Sequence, residues 1–447
     1  MMATRESQQP AASLPLALAA TAVGVLAGYL IKYQCATHPW DGFQYTHFCY
    51  NEIQALFGVR GIGEGLVPYV DTRFEYPMLT GMFMYAAGWL LRLLAGAGVL
   101  ANDTAGYLVV SSALLAPLVF AVTLLLRPRV TRNRLLIWAI GAPTVLYAFH
   151  NWDLLAAAGA VWGLVSLETA RHGRAGSALA LGASAKLFPG FLMAPGVLSC
   201  WARGDRRAAK RLVVAFVGLY ALVNVPWILA SGGAPRIDPA AVPGVELRAP
   251  GVNGWIQVWT FHAGRYPDYW TVWYWIAKYG RIVWPGNWWD IGSSGYRDFV
   301  NLASFLLFGV GALWLLWRGW RRRGEQQGYP VAAIGLAIIA LFLLTSKVYS
   351  PQYALWTAPL LAMLTIPWRY VLYYLGAEVA VLVAGFMWFT QISQPDPPWL
   401  GALEAFVWFR AFTLVLLLTG CLKASRLYPA PERAPEGASE PPVEAAA

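Results

Sequence analysis

Apolar runs of roughly 17 to 22 residues recur along the whole of this 447-residue chain, and at 1.5 Å per helical residue each is about long enough to cross a hydrocarbon core of about 30 Å. Within lipid a segment has to satisfy its own backbone donors and acceptors, which a helix does and an isolated strand does not. Composition points the same way. Of the residues, 58% are hydrophobic, 13% are charged and 23 are Trp, a balance that would leave a soluble globule with far too much apolar surface uncovered. The chain therefore reads as an all-α polytopic membrane protein.

The formal net charge of +10 does not point to nucleic acid, because Lys and Arg sit in short clusters between apolar runs and form neither a basic amphipathic helix nor a basic tail. The clusters RPRVTRNR (127–134), RHGR (171–174), RGDRRAAKR (203–211) and RGWRRR (318–323) are expected on the cytoplasmic side. With both termini cytoplasmic, that expectation places spans near residues 14–31, 105–126, 135–150, 153–169, 212–230, 298–317, 329–345, 352–367, 370–391 and 402–422. The first, Leu14–Ile31, is followed by Lys32 and lacks a small-residue cleavage site, so it reads as a retained span. Two further runs do not fit simply. Counting Met78–Leu94 as a crossing would put Arg127–Arg134 outside, so this run is expected on or partly in the outer leaflet, with Arg92 reaching head groups. Ala175–Cys200 carries Lys186 and Pro189 between two basic clusters, and is expected to return to its own side as two half-helices broken near AKLFP. Residues 1–428 then form one integral membrane domain, with outer-face segments at 34–104 and 231–297. The Pro-, Glu- and Ala-rich stretch Pro429–Ala447 reads as a solvated cytoplasmic tail.

This topology brings Trp40–Pro77, HNWD (150–153), Ser231–Arg297 and SKVYSPQ (346–352) out on one face, where carboxylates, amides and cations from distant parts of the chain can gather. FQYTHFCYNEIQALF (43–57) has the period of an interfacial helix that would hold Glu52 near the membrane surface, and a carboxylate at that level can serve as general base to a sugar hydroxyl. Asp41 lies eleven residues earlier, on the same helical face if the helix runs unbroken. Cys35 and Cys49 both fall in this outer segment, where a disulfide is compatible with the redox compartment. Lys186 interrupts an apolar run, which means that it either lines a cavity, finds a partner or snorkels to the interface. Asn151 and Asp153 stand before DLLAAAGA, where capping and substrate contact are both open. In SKVYSPQYALW, Ser350 and Pro351 explain a helix start, but a cation at Lys347 beside it calls for an anion such as a phosphate. In FHAGRYPDYW (261–270), Arg265 is a fork-shaped phosphate donor and Tyr266, Tyr269 and Trp270 can stack on a sugar. No second His or Cys stands at ligand spacing from His150, so no transition-metal site is legible.

Taken in order and spacing, CYNEIQALFGVRGIGEGLVPY, EYPMLTG, HNWDLLA, SAKLFPG and SKVYSPQYALW resemble the motifs of actinobacterial multi-pass glycosyltransferases of the family 87 type. That family belongs to the GT-C superfamily, whose members use polyprenyl-phosphate sugars. The resemblance implies a bundle of about 10–12 transmembrane helices in the plasma membrane, spanning roughly residues 15–425. It also implies a lipid-phosphate sugar donor, mannose first among the sugars, and a cell-envelope glycan or glycolipid acceptor. In such enzymes a carboxylate of the first outer loop is the catalytic base. By motif position this is Glu52, where similar sequences commonly carry Asp, and Asp41 is its rival. Lys186 and Lys347 are implied at the lipid-phosphate site, with Tyr69, Glu75, Asn151, Asp153, Arg265, Gln352 and Tyr353 in the substrate-binding set. No nucleotide site is needed, and no P-loop is present in the sequence; assistance by a divalent metal is left open. A lipid-linked-sugar flippase is the alternative, since it too would place ionisable residues in a broken helix, and a non-catalytic binder of lipid-linked sugar is a third reading.

Overall fold

The computed structural model describes residues 10–233, 242–283, 286–324, 328–394 and 397–425; the expected tail at Pro429–Ala447 lies outside them. The described residues form eighteen α-helices joined by turns and short 3₁₀ segments, with no strand beyond two isolated bridges. In chain order these are α1 (Leu14–Thr37), α2 (Phe43–Thr46), α3 (Glu52–Val59), α4 (Met78–Gly96), α5 (Thr104–Leu126), α6 (Arg132–Ala139), α7 (Ala142–Tyr147), α8 (Asp153–Glu168) and α9 (His172–Ala185). There follow α10 (Met193–Ala202), α11 (Arg206–Ala230), α12 (Gly254–Gly264), α13 (Val272–Val283), α14 (Ser294–Arg321), α15 (Val331–Thr345), α16 (Ala354–Met363), α17 (Trp368–Phe389) and α18 (Pro398–Lys423).

Seven described helices, α1, α4, α5, α11, α14, α17 and α18, are long and apolar enough to cross a membrane singly. Their outward faces are what lipid requires and water would not tolerate: Leu229 on α11 is 77% exposed and Phe305 on α14 is 73% exposed. At the centre, α15 and α16 are apolar on every side and almost wholly buried, as expected of helices surrounded by other helices. Tight helix contacts rest on small residues. A Cβ at Gly24 of α1 would lie 2.1 Å from the Ala139 carbonyl oxygen of α6, so the close approach of these two backbones depends on that glycine.

Several expected spans take a different form. The run 135–150 is split at Ile140–Gly141 into α6 and α7, because Gly141 and Pro143 interrupt the helical hydrogen-bond ladder. The run 352–367 is a 3₁₀ turn followed by the ten-residue α16, too short to cross alone at 1.5 Å per residue. Met78–Leu94, expected along the interface and not as a crossing, lies in the nineteen-residue α4, and Asn102 just beyond that helix donates to the Gly63 carbonyl of the first outer segment at 3.1 Å. Arg92 of α4 does not reach for head groups but donates to the Ile62 carbonyl at 2.6 Å. Seven described helices are thus long and apolar enough to cross singly, by length and composition, and shorter helices lie between them. The break at AKLFP is present: α9 ends at Ala185, Lys186 is extended, and the chain resumes through Phe188–Leu192 into α10.

At one end of the bundle the polar segments interlock. Glu52 N–H donates to the His150 carbonyl at 2.7 Å, Arg73 N–H to Glu246 at 2.9 Å, and Asp268 N–H to Lys347 at 2.9 Å. A buried ion pair holds part of this end. Arg410 of α18 meets Glu378 of α17 at 3.2 Å, the two side chains being 1% and 2% exposed. The guanidinium also lies 3.7 Å over the Tyr349 ring and donates to the carbonyl oxygens of Tyr349 and Trp270, while Tyr349 donates to Glu378. Removing one partner strands the other charge. Arg410→Met is therefore expected to destabilise the protein by about 3–5 kcal/mol, read as a lowered melting temperature in detergent, with the Arg410→Met/Glu378→Gln pair recovering part of the loss. Equal melting of the single variant and wild type would show that the pair contributes nothing.

Candidate active site

The site begins with the way the chain reaches Glu52. The segment 43–57 is not one helix. Phe48 sits at φ 56° between α2 and α3, and this turn ends the unbroken helix on which Asp41 and Glu52 were expected to share a face; Asp41 is exposed and precedes α2. After the turn, Asn51 caps α3, its side chain accepting from Gln54 N–H at 2.8 Å. Glu52 thereby becomes the first residue of that helix, where an acidic side chain is favoured. The approach is pinned to α1 twice. Lys32 Nζ, on a residue only 2% exposed, donates to the carbonyls of Phe48 at 2.9 Å and Tyr50 at 3.0 Å, and Cys35 is joined to Cys49 in a disulfide.

Around the carboxylate stand groups from four further segments. Tyr76 donates its hydroxyl to Glu52 Oε2, and Gln352 Nε2 donates to Oε1 at 3.3 Å. Asn151 Nδ2 donates to the Tyr76 hydroxyl at 3.4 Å, while Asn151 Oδ1 accepts Asp153 N–H at 3.0 Å, so Asn151 both starts α8 and reaches the cluster. Asp153, 1% exposed, pairs with Lys186 at 2.9 Å and accepts from Trp356 Nε1 at 2.8 Å. The Lys186 ammonium lies 4.4 Å from the Tyr76 ring centroid, 5.3 Å from Tyr353 and 5.8 Å from Trp356. Tyr353 and Trp356 stack at 3.9 Å, and Phe188 stacks on Trp356 at 4.6 Å. Three carboxylates thus stand near one another, and two of them have a cation of their own: Asp153 has Lys186, and Glu75 has Arg60 at 2.7 Å. Glu52 makes no direct ion pair among the described residues. Burial pushes its carboxyl above the ordinary glutamate range, opposed by nearby Lys186 and by the Tyr76 hydrogen bond. A carboxylate of that kind, held by neutral donors, is a stronger proton acceptor than an ordinary glutamate.

The structure gathers Glu52, Asn151, Asp153, Lys186, Gln352 and Tyr353 in this cluster, sets Glu75 at its edge, and engages the other expected site residues elsewhere. Tyr69 is fully buried at φ 68°; its hydroxyl donates to the carbonyls of Tyr76 and Pro77 and accepts from Gly81 N–H. It shapes the Tyr76 turn and has no face for substrate. A Cβ at Gly254 would lie 2.0 Å from the Tyr69 carbonyl oxygen, so α12 can dock on this turn only with glycine there. The Glu75 side chain is held by Arg60 and its carbonyl accepts from His262 Nε2 at 2.9 Å. Lys347 needs no phosphate to explain it: its ammonium donates to the carbonyls of Ala263 at 2.9 Å and Arg265 at 2.7 Å. These lie at the C-terminal end of α12, where a cation is favoured. Burial, with Arg297 and Arg265 nearby, lowers its ammonium to about 8. Arg265 pairs with Asp268 at 3.4 Å and faces a cavity beside the cluster. Among the described residues no group of three or more His, Cys, Asp or Glu stands together to hold a metal ion.

Tyr76, Trp356 and Lys32 were not singled out in the sequence. Tyr76 and Trp356 lie inside EYPMLTG and SKVYSPQYALW, and Trp356 follows Gln352 by four residues, one helical turn. Lys32, as a lone cation at the end of an apolar run, carried the signal of an intramembrane charge in need of a partner.

A multi-pass helical bundle with a half-buried carboxylate that makes no ion pair among the described residues, set where four loops meet, defines a candidate active site. The family model for glycosyltransferase family 87 matches residues 74–346, more than half of the chain, and the protein belongs to that family. The matched stretch contains Tyr76, Asn151, Asp153 and Lys186; Glu52 precedes it, and Gln352, Tyr353 and Trp356 follow it. No curated protein matches the chain. Among solved structures it is similar to the apo crystal structure of an oligosaccharyltransferase from Archaeoglobus fulgidus, with 12% identity and a TM-score of 0.36. The similarity covers 92% of this chain and 56% of that one.

Because the folded state raises the Glu52 pKa, the carboxyl binds its proton more tightly folded than unfolded, and stability is lost as pH rises from the ordinary glutamate value through the folded one. Glu52→Gln removes that loss. It is expected to melt above wild type at pH 8 and to converge with it toward pH 4, as measured by thermal unfolding across pH. A variant no more stable than wild type at pH 8 would contradict the perturbed environment.

Proposed function

We propose that this family 87 protein transfers a sugar, mannose first among the candidates, from a polyprenyl-phosphate donor to a cell-envelope glycan or glycolipid acceptor. The reaction takes place at the outer face of the plasma membrane, with both termini cytoplasmic. The observation that carries the reading is the Glu52 carboxylate: half-buried, free of a direct cation among the described residues, and fixed by Tyr76 and Gln352 at the meeting point of four loops.

In this reading Glu52 accepts the proton of the acceptor hydroxyl as its oxygen attacks C1 of the donor sugar from the face opposite the phosphate. The C1–O bond to phosphate breaks, polyprenyl phosphate leaves with the electron pair, and the configuration at C1 inverts. Tyr76 and Gln352 hold the carboxylate in line. Lys186, kept in place by Asp153 and by the rings of Tyr76, Tyr353 and Trp356, supplies positive potential toward the leaving phosphate. The stacked Tyr353 and Trp356 offer a platform for a sugar ring. The arginine clusters support this sidedness, and membership of family 87 supports a lipid-linked donor. No observation favours the flippase reading.

Purified protein supplied with polyprenyl-phosphate mannose and a mannan-like acceptor tests this. Glu52→Gln is expected to lower the transfer rate about 10²–10⁴-fold, with Asp41→Asn near wild type. A Glu52→Gln enzyme that keeps its rate would remove the base. Sugar-lipid that crosses liposomes with no transfer would replace the enzyme with a transporter.

A further inference from the structure

Away from the Glu52 cluster, a groove of about 350 Å³ opens between α13, the 3₁₀ turn Asn287–Trp289 and the start of α18, lined among others by Tyr274, Trp275, Lys278, Arg281, Ile282 and Trp289. We propose that it is a remote glycan subsite that holds the distal sugars of an extended acceptor chain. Three observations carry the inference. The first is a wall of aromatic rings held in place. Trp275 is fully buried and donates Nε1 to the Tyr269 carbonyl at 3.1 Å, and Trp289 lies so close to α13 that a Cβ at Gly280 would fall 2.2 Å from its ring. Rigid amphipathic rings offer area to the apolar faces of sugars at little entropic cost. The second is the polar lining between those rings. Among the described residues neither Arg281 nor the Tyr274 hydroxyl has a hydrogen-bond or ion-pair partner. Lys278 lies 5.2 Å from the Trp275 ring centroid and shares the Glu404 carboxylate with Tyr279. Such a mixture suits hydroxyls, which both donate and accept, while the carboxylate behind the lysine counts against a phosphate. The third is continuity with the reaction centre. Tyr50, two residues before Glu52, meets Tyr45 at 5.9 Å between centroids, Tyr45 meets Phe389 at 4.9 Å, Phe389 meets Tyr269 at 5.3 Å, and Tyr269 meets Tyr274 at 6.4 Å. Each of these five rings is half-buried, so the series leads along the surface from the approach to Glu52 into the groove.

The inference rests on the reading that the acceptor is a glycan, and the experiment keeps the two apart. Full-length protein in detergent, without donor, is titrated with linear mannohexaose, with mannobiose, and with dihexanoyl phosphatidylglycerol below its micellar concentration. Wild type is expected to bind the hexasaccharide about tenfold or more tightly than the disaccharide. Tyr274→Ala removes one ring of the wall, and Ile282→Trp, at a side chain that is 68% exposed, fills the groove from its open side. Each is expected to weaken mannohexaose about tenfold, with mannobiose binding and melting temperature unchanged. The proposal is overturned if wild type binds the two sugars equally, if folded variants bind mannohexaose as wild type does, or if mannobiose weakens equally. It is also overturned if the variants weaken phosphatidylglycerol alone, which would make the rings part of an interfacial lipid belt. Transfer from polyprenyl-phosphate mannose to mannobiose tests the reaction by itself. Absence of transfer with the chain-length preference intact would remove the proposed reaction and leave the subsite, whereas transfer with no such preference would remove the subsite alone.

Discussion

The ion pair between Lys186 and Asp153 is the interaction on which the arrangement at this end of the bundle depends. It joins the tip of a broken helix to the start of α8, and the acceptor bond from Trp356 brings α16 into the same contact. The pair also decides which carboxylate is left without a cation of its own. A lysine placed among aromatic rings in an apolar bundle has to be neutralised, and Asp153 does so. Lys186 therefore stays close enough to Glu52 to lower the energy of its charged form without binding it directly. Had Glu52 itself been the partner, its carboxylate would be held in a tight salt bridge, a poor proton acceptor.

A second set of contacts makes that geometry rigid. The approach to Glu52 is an irregular stretch with a left-handed turn at Phe48, and irregular backbone is costly at the edge of an apolar bundle unless its carbonyls find donors. Lys32 supplies those donors and the Cys35–Cys49 bond fixes the same turn to α1. On the far side, Arg410 and Glu378 hold Tyr349 just before the turn that presents Gln352 and Tyr353. Each support is a charge or hydroxyl that would be unfavourable where it stands if left unpaired, so the polar groups specify position as much as they add stability.

Much of this was legible in the sequence, and the physical reason differs from residue to residue. The helical class follows from apolar runs that have one solution in lipid. The break at AKLFP follows from a lysine and a proline in one run, and the gathering of Glu52, Asn151, Asp153, Lys186, Gln352 and Tyr353 follows from motifs spread over distant loops. Partner choice was less accessible. Lys347 looked like a phosphate ligand because the helix N-terminus after it is visible in the sequence, whereas the α12 carbonyls that bind it come from some 80 residues away. Asp41 seemed to share a face with Glu52 because the periodicity of 43–57 is helical, and a single residue at positive φ ended that relation. The runs 135–150 and 352–367 had the composition of spans, yet Gly141 and Pro143 in one, and the turn at Pro351 with burial on all sides in the other, made them short interior helices.

The central claim, that Glu52 acts as a base whose charged form is sustained by Tyr76, is tested most directly by the pH dependence of sugar transfer in wild type and Tyr76→Phe. The base must be ionised, so the rate should fall on the acid side through a pKa above that of an ordinary glutamate. Loss of the hydroxyl that favours the carboxylate should move this limb to higher pH. An acid limb that stays in place or moves to lower pH in Tyr76→Phe would contradict the account.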